Sequence, residues 1–385
     1  MLVRNRVHIR LAGAVGAALA FLAACTSSAA TGPTASPRSS PRSTPAAHRS
    51  SAAAPSGPVS RSAAHPAAST RPAGEFSIAF AGDVHFSGRV ARRLARDPAT
   101  VFAQARPALD RADLTMVNLE TAVTTGGVRQ AKLFTFRAPP SAFTALRDAG
   151  IDVATMANNH GADYGAAGLR DTLAAIRSSH FPVVGIGKDA AAAFAPYTTT
   201  LNGVRVAIIA ADQVQDETTL RLFSAGPAKP GVANAFSPLL VQSVRRAQAA
   251  GYVVIVYVHW GVEYTTCPST LQTTLAGRLA QAGASAVIGT HAHVLQGAGW
   301  RPDGTYVAYG LGNYLWWMSF GNKQDDNGVL TLTFRHNAVV SDSFAPAHLD
   351  DRGVPVPATG AEKRRIDAQW QADRRCTDLA TTAPR

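Results

Sequence analysis

The chain has 385 residues, of which 46% are hydrophobic and 16% are charged, a balance typical of a globular protein. Its net charge of +12 comes largely from the N-terminal segment. Residues 1–74 contain arginines but no Asp or Glu, whereas the rest of the chain carries 29 basic and 25 acidic residues. The folded part is therefore almost neutral, and we expect no nucleic-acid partner.

The N-terminus has the pattern of a secretory signal peptide. A basic start, "MLVRNRVHIR", precedes the apolar segment "LAGAVGAALAFLAAC", which is shorter than the roughly 20 apolar residues that span a bilayer. Residues 22–25, "LAAC", resemble the lipobox of bacterial lipoproteins, whose cysteine is lipidated. The sequence thus predicts a lipoprotein signal peptide over residues 1–25 and a lipid anchor on Cys25. The protein would then lie on the extracytoplasmic face of the cell membrane. An ordinary cleaved signal and an uncleaved anchor are the alternatives.

Three further segments follow the signal peptide. Residues 26–74 are rich in Pro, Ser, Ala and Arg and are predicted to form a disordered linker. We expect a folded domain over residues 75–350 and a C-terminal tail over 351–385 packed on it. In an exported protein, Cys267 and Cys376 could form a disulfide that fastens this tail to the domain, or remain two separate thiols.

Strand-like and helix-like segments alternate from residue 75 onward. The strand-like segments include "FSIAFAGD", "DLTMVNLE", "IDVATMANNH", "YVVIVYVHWG" and "ASAVIGTHAH". Helical patterns lie between them, such as "PPSAFTALRDAG", "GAAGLRDTLAAIRSSH" and "STLQTTLAGRLAQAG". This alternation predicts an α/β fold with mainly buried sheets, in which ligands bind at the carboxyl ends of the strands.

Polar residues are concentrated where these strands end. The set comprises Asp83, His85, Asn118, Glu120, Asn159, His160, His259, His291 and His293. On a strand, residues i and i+2 point to the same face, so His291 and His293 could direct both imidazoles to one point. His180, His336 and His348 lack this context and are interpreted as surface residues. The set predicts a metal centre.

The residue types in this set restrict the metal and suggest individual roles. Carboxylates and imidazoles without a thiolate favour Mn, Fe or Zn over Ca. There are enough donors for one or two divalent ions, with Glu120 the candidate bridging carboxylate. His160 follows Asn159 directly, so both cannot easily bind the same ion. An unligated His160 is therefore the candidate catalytic residue, a proton donor to a leaving oxygen.

Seven motifs in this order resemble the CapA-type poly-γ-glutamate capsule synthesis proteins, which belong to the metallophosphatase-like superfamily. They are "AGDVHFSG", "VNLETAVT", "FRAPP", "MANNHGADYGAAGL", "VHWGVEY", "IGTHAHVLQG" and "YGLGNYL". The resemblance implies a four-layer αββα sandwich. It also implies two ligand sets, one of Asp83, His85, Glu120 and His293 and one of Glu120, Asn159, His259 and His291.

The chain departs from the general metallophosphoesterase pattern at the bridging position, where Glu120 replaces an aspartate. Its longer side chain changes the spacing of the ions, which puts ordinary phosphoesterase turnover in doubt. Arg137, Asp163 and Tyr164 belong to the family motifs without being ligands. Together with Asn118 they are candidate substrate-binding residues, or else supports of turns and loops.

The resemblance implies a membrane-anchored extracellular component of poly-γ-glutamate synthesis or export. Its expected partners are polyglutamate or another anionic polymer, the membrane, and membrane subunits of a capsule synthetase. The ligand set alone suggests an alternative, a stand-alone metal-dependent phosphoesterase acting on cell-envelope phosphoesters. The sequence leaves open whether the protein is an enzyme; if catalytic, it would be a metallophosphoesterase-like hydrolase.

Overall fold

The computed structural model describes residues 71–214, 216 and 219–384. The predicted signal peptide, the lipidation site Cys25 and all but the last four residues of the predicted linker lie outside the described residues. Within the described part of the chain, no helix is long and apolar enough to cross a membrane.

The strands, in chain order, are β1 (Glu75–Val84), β2 (Leu114–Leu119), β3 (Ala122–Val123), β4 (Arg137–Ala138), β5 (Val153–Thr155), β6 (Val183–Val184), β7 (Ile186–Gly187), β8 (Tyr197–Leu201), β9 (Val204–Asp212), β10 (Gly231–Val232), β11 (Val253–Trp260), β12 (Ala284–His291), β13 (Ala298–Trp300), β14 (Tyr306–Ala308), β15 (Asn313–Leu315), β16 (Asp326–Arg335), β17 (Ala338–Leu349) and β18 (Pro355–Pro357). The α-helices are α1 (Gly88–Arg96), α2 (Arg106–Leu109), α3 (Ser141–Asp148), α4 (Gly165–Ser179), α5 (Ala190–Ala193), α6 (Pro238–Ala249), α7 (Thr270–Gln281) and α8 (Gly360–Asp373).

Two large sheets organise the domain. The first has the strand order β18-β17-β16-β1-β2-β5-β6, with β15 paired to β1, and the second has the order β13-β14-β12-β11-β9-β8. The central strands β1, β2, β5 and β6 are parallel, as are β9, β11, β12 and β14. The carboxyl ends of parallel strands meet at one edge of a sheet, which brings the polar residues that end β1, β2, β11 and β12 to common edges.

The inner strands of the second sheet, β9, β11 and β12, are buried on both faces, as their apolar, β-branched sequences predict. Ile208 of β9 and Tyr257 of β11 pack in the same core cluster as residues of the first sheet, including Ile78 and Phe80. The alternate residues of β9 and β11 belong to a separate cluster with α6 and α7. The hydroxyl of Tyr257 donates to the carbonyl of Ala81 across the two sheets at 2.6 Å.

Helices cover the outer face of each sheet. Val90 of α1, Leu146 of α3 and Leu169 of α4 join the core of the first sheet, whereas Leu240 of α6 and Leu275 of α7 join that of the second. The layers therefore run helix, sheet, sheet, helix. The predicted αββα sandwich is confirmed.

The C-terminal segment packs against the domain. Trp370 of α8 stacks on Phe344 with ring centroids 4.2 Å apart, and Arg365 donates two hydrogen bonds to Asp326 at 2.6 and 2.7 Å. Cys267 and Cys376 form a disulfide across a sequence separation of 109 residues. Closing a loop of that length restricts the unfolded chain, and the entropy model puts the resulting stabilisation at about 4–5 kcal/mol.

Candidate metal centre

The strand-end residues of both sheets converge in one place. Asp83 and Glu120 come from the first sheet and its loops, and His259 and His291 from the second. The side chains of these four residues are buried. A hydrogen bond links the residues of the two sheets directly: the backbone N–H of His291 donates to Asp83 Oδ2 at 3.1 Å.

A buried amide pair orients the two carboxylates. Asn118 Nδ2 donates to Asp83 Oδ1 at 2.8 Å and lies 3.4 Å from Glu120 Oε2. Its own oxygen accepts from Asn158 Nδ2 at 2.9 Å. The sequence predicts Asn118 as a candidate substrate-binding residue. In the structure it is fully buried and contacts the two carboxylates through its amide group.

The two histidines of the H-x-H motif converge through a turn. β12 ends at His291, and both residues have positive φ values, 92° for His291 and 55° for His293. Positive φ is costly for a non-glycine residue and collects at functional sites. The two rings lie 5.4 Å apart. His293 Nδ1 is 2.8 Å from Asn313 Oδ1, which fixes the ring and leaves Nε2 free as a donor to a metal.

Among the residues that the structure describes, three groups of donor atoms lie close enough to hold an ion. Each has its three ligand atoms within 4.8 Å of one another; the groups are Glu120, His259 and His291; Asp83, Glu120 and His293; and Glu263, His291 and His293. The first group gains a fourth donor from Asn159, whose Oδ1 is 3.0 Å from His259 Nε2. Glu120 belongs to two groups, as a bridging carboxylate would.

The donor set fits a cation. Within the described residues, Glu120 Oε1 and His291 Nδ1 are buried without a hydrogen-bond partner. Burial, followed by the charge of Asp83, raises the pKa of Glu120 well above its ordinary value. Burial also lowers the pKa of His259 and His291 well below the usual range for histidine. Neutral imidazoles are the form that binds metal, and a cation would offset the two buried carboxylates.

His85 lies beside this centre but in none of the three groups found among the described residues. Its Nε2 accepts a hydrogen bond from the backbone N–H of Trp317 at 3.1 Å. Its ring packs on Phe136 and Trp316, with centroids 4.2 and 4.1 Å away. Its assignment as a ligand remains a prediction from the sequence pattern.

His160 is held next to the centre by a carboxylate. Its Nδ1 is 2.6 Å from Asp163 Oδ2, and its Nε2 is 3.6 Å from Glu120 Oε1. Burial lowers the pKa of His160, and the Asp163 carboxylate opposes that shift. The other Asp163 oxygen accepts from Lys132 Nζ at 2.8 Å, and Lys132 also donates to the Asn159 carbonyl at 2.5 Å.

Two more of the candidate substrate-binding residues lie further out. The guanidinium of Arg137 stacks on the Tyr164 ring at 4.7 Å from its centroid. Arg137 is exposed, whereas Asp163 is buried and fully engaged with His160, Lys132 and the Phe136 backbone. Of the candidate substrate-binding residues Arg137, Asp163 and Tyr164, Arg137 is therefore the most exposed to solvent.

Sequence reasoning missed three residues of this site. Glu263 and Asn313 lie inside the motifs "VHWGVEY" and "YGLGNYL", so their motif positions were a signal. Lys132 lies in the loop before β4, where the sequence offers no pattern that points to a buried ion pair.

Comparison with known proteins identifies the family. The model of the bacterial capsule synthesis protein family PGA_cap matches residues 77–316, which include every residue of the centre. The chain belongs to this family. The CapA-type resemblance seen in the motifs is therefore confirmed.

Individual relatives agree with this assignment. The chain is 30% identical to the capsule biosynthesis protein CapA of Bacillus anthracis over 60% of its length, spanning 55% of that relative. It is 28% identical to the PGA biosynthesis protein CapA of Bacillus subtilis, over 73% of each chain. It is also 30% identical to a probable polyglutamine synthesis accessory protein of Mycobacterium tuberculosis, over 47% of this chain and 50% of that protein.

Among solved structures, the chain is similar to the protein TT1561 of Thermus thermophilus. The TM-score is 0.37 and the identity 10%, over 68% of this chain and 98% of that one.

Proposed function

We propose that the protein is a membrane-anchored, extracellular component of poly-γ-glutamate synthesis or export that works through a metal centre. The convergence of Asp83, Glu120, His259, His291 and His293 carries this proposal, because the family match alone does not say how the protein acts. Polyglutamate or a similar anionic polymer is the proposed ligand, and membrane subunits of a capsule synthetase are the proposed partners.

The proposed centre holds one or two ions of Mn, Fe or Zn. One would be held by Glu120, Asn159, His259 and His291, and the other by Asp83, Glu120 and His293, with His85 as the further ligand that the family pattern implies. Bound ions would polarise a carbonyl or phosphoryl oxygen and offset the charge of an anionic substrate. Asn118 and Asn313 orient donors, and the Asp163 carboxylate holds His160 with one imidazole nitrogen toward Glu120.

A cellular experiment tests this function. A strain that lacks this protein should lose surface polyglutamate, and the wild-type chain should restore it. The His259→Ala variant should not restore it, because the group of Glu120, His259 and His291 loses one of its three close metal donors. The measurement is glutamate released by hydrolysis of isolated surface polymer, with His348→Ala as the control for a histidine away from the centre. Unchanged polymer in the deletion strain would refute the proposal.

A stand-alone phosphoesterase is the second candidate function. The observation that favours it is the position of His160, which belongs to none of the three donor groups but has its Nε2 3.6 Å from Glu120 Oε1, an arrangement suited to protonating a leaving oxygen. Turnover of a chromogenic phosphodiester by purified protein, lost in His259→Ala, would support this alternative. Its absence would leave polymer synthesis or export as the role.

The proposed location rests on the lipobox. Cys25→Ser should move the protein from the membrane fraction to the soluble fraction or block its processing, because the acyl chains are no longer attached. Fractionation followed by immunoblotting measures this. A variant that stays acylated and membrane-bound would show that Cys25 is not the anchor.

A further inference from the structure

Glu263 is a carboxylate that the metallophosphoesterase pattern does not assign. It lies in an exposed turn after β11, yet its carboxylate oxygen is within 4.8 Å of nitrogen donors of both His291 and His293. These are the histidines that the other two groups use. Glu263 therefore does not define a separate third site but reaches the same centre from its exposed side.

The turn that carries Glu263 is fixed to the centre at several points. The backbone N–H of Tyr264 donates to the carbonyl of Ala292, between the two histidines, at 2.7 Å. Tyr264 has a φ of 64°, so the backbone there is held in an unfavourable conformation. Gln296 Nε2 donates to the Thr265 carbonyl at 2.7 Å, and Cys267 is bonded to Cys376. Glu263 is thus held close to the H-x-H motif.

The centre has a use for another oxygen donor. His291 is 4% exposed, and its Nδ1 has no hydrogen-bond partner among the described residues. The group of Asp83, Glu120 and His293 offers only three close donors, whereas the other inner group has Asn159 as a fourth. Two divalent ions would carry four positive charges against two from the inner carboxylates, and carboxylate oxygen suits Mn and Zn.

We propose that Glu263 is a further metal ligand, the exposed counterpart of the buried bridge Glu120. This inference rests on the proposed metal centre. An exposed ligand on a surface turn can be displaced by an incoming carboxylate or phosphate, whereas Glu120 is locked in the core. Glu263 would then occupy, in the resting protein, the position that an anionic group of the substrate takes.

The test measures the affinity of the purified full-length protein for Mn²⁺, by calorimetry and by electron paramagnetic resonance. Glu263→Gln should weaken the binding by at least about tenfold, the lower end of what losing an orienting partner of a ligand costs. Glu75→Gln is the matched control, because it makes the same change at the far end of β1, where Glu75 pairs with Arg335. It should leave the affinity unchanged.

A second variant separates ligation from simple charge attraction. Glu263→His removes the negative charge but supplies a nitrogen donor, so it should recover Zn²⁺ affinity that Glu263→Gln lacks. Equal weakening in both variants would overturn ligation, as would full Mn²⁺ and Zn²⁺ affinity in Glu263→Gln. If the wild-type protein itself binds neither ion, the proposed metal centre fails as a whole. That outcome differs from the loss of Glu263 alone as a ligand.

Discussion

Replacing both His291 and His293 by alanine should remove most of the bound metal. Each of the three donor groups among the described residues contains one or both of these histidines. The three groups would keep only two, two and one of their close donors, and a further ligand such as Asn159 or His85 would bring an inner set only to three, the minimum for a stable site. Elemental mass spectrometry of the purified protein measures the loss directly. Metal should stabilise the wild-type fold by about 2.7 kcal/mol at a hundredfold excess over Kd, and the variant should show no such shift.

The chain provides a closely matched control for this double variant. His180 and His336 also have positive φ values, 53° and 55°, and belong to none of the donor groups. His180→Ala with His336→Ala therefore introduces the same side-chain change at the same kind of strained backbone position. It should keep full metal content. Undiminished metal in the H-x-H variant would place the centre on other residues.

The alternation of strands and helices and the burial of the sheets follow from sequence patterns, whereas the order of the layers was implied by the family resemblance. Strands such as β11 are apolar on both faces, which requires cover on each side; helices cover the outer face and the other sheet covers the inner face. The convergence of the polar residues at the strand ends was also predictable, because parallel strands bring their carboxyl ends together. The family motifs then divided these residues into two predicted ligand sets, which the strand pattern alone does not do.

Local geometry in the site was less predictable. The pleat of a strand predicted that His291 and His293 share a face, but the strand ends at His291 and a strained turn brings the rings together. Similarly, Glu263 and Lys132 reach the centre from loops, whose paths depend on contacts distant in sequence, such as the disulfide to Cys376. Nothing in a loop's own residues encodes such a path.

The helix α1 shows the same limit in the core. Its segment "GRVARRLAR" is amphipathic, but it has only nine residues and two buried apolar side chains, Val90 and Leu94, so it is too short to be a stable helix in isolation. The spacing of four residues places both on one face, and tertiary packing against the first sheet makes the helix.

Replacing His160 by alanine should separate metal binding from activity. His160 is in none of the donor groups, and its Nδ1 is already committed to Asp163, so the variant should keep its metal. Its Nε2, 3.6 Å from Glu120 Oε1, is nevertheless at the centre, in reach of a group bound there. If His160 donates a proton, its loss should lower the rate about 10²–10⁴-fold.

The comparison that makes this result interpretable is His259→Ala, which should lose metal and activity together because His259 shares a donor group with Glu120 and His291. Activity is the turnover of whichever substrate the purified protein accepts, or polymer output in cells where the isolated protein shows none. Asp163→Asn should give an intermediate loss, since the amide still contacts His160 but no longer stabilises its charged form. If His160→Ala keeps both its metal and its full activity, the proton-donor role is wrong. The centre would then act as a metal-stabilised platform that binds the anionic polymer without cleaving it.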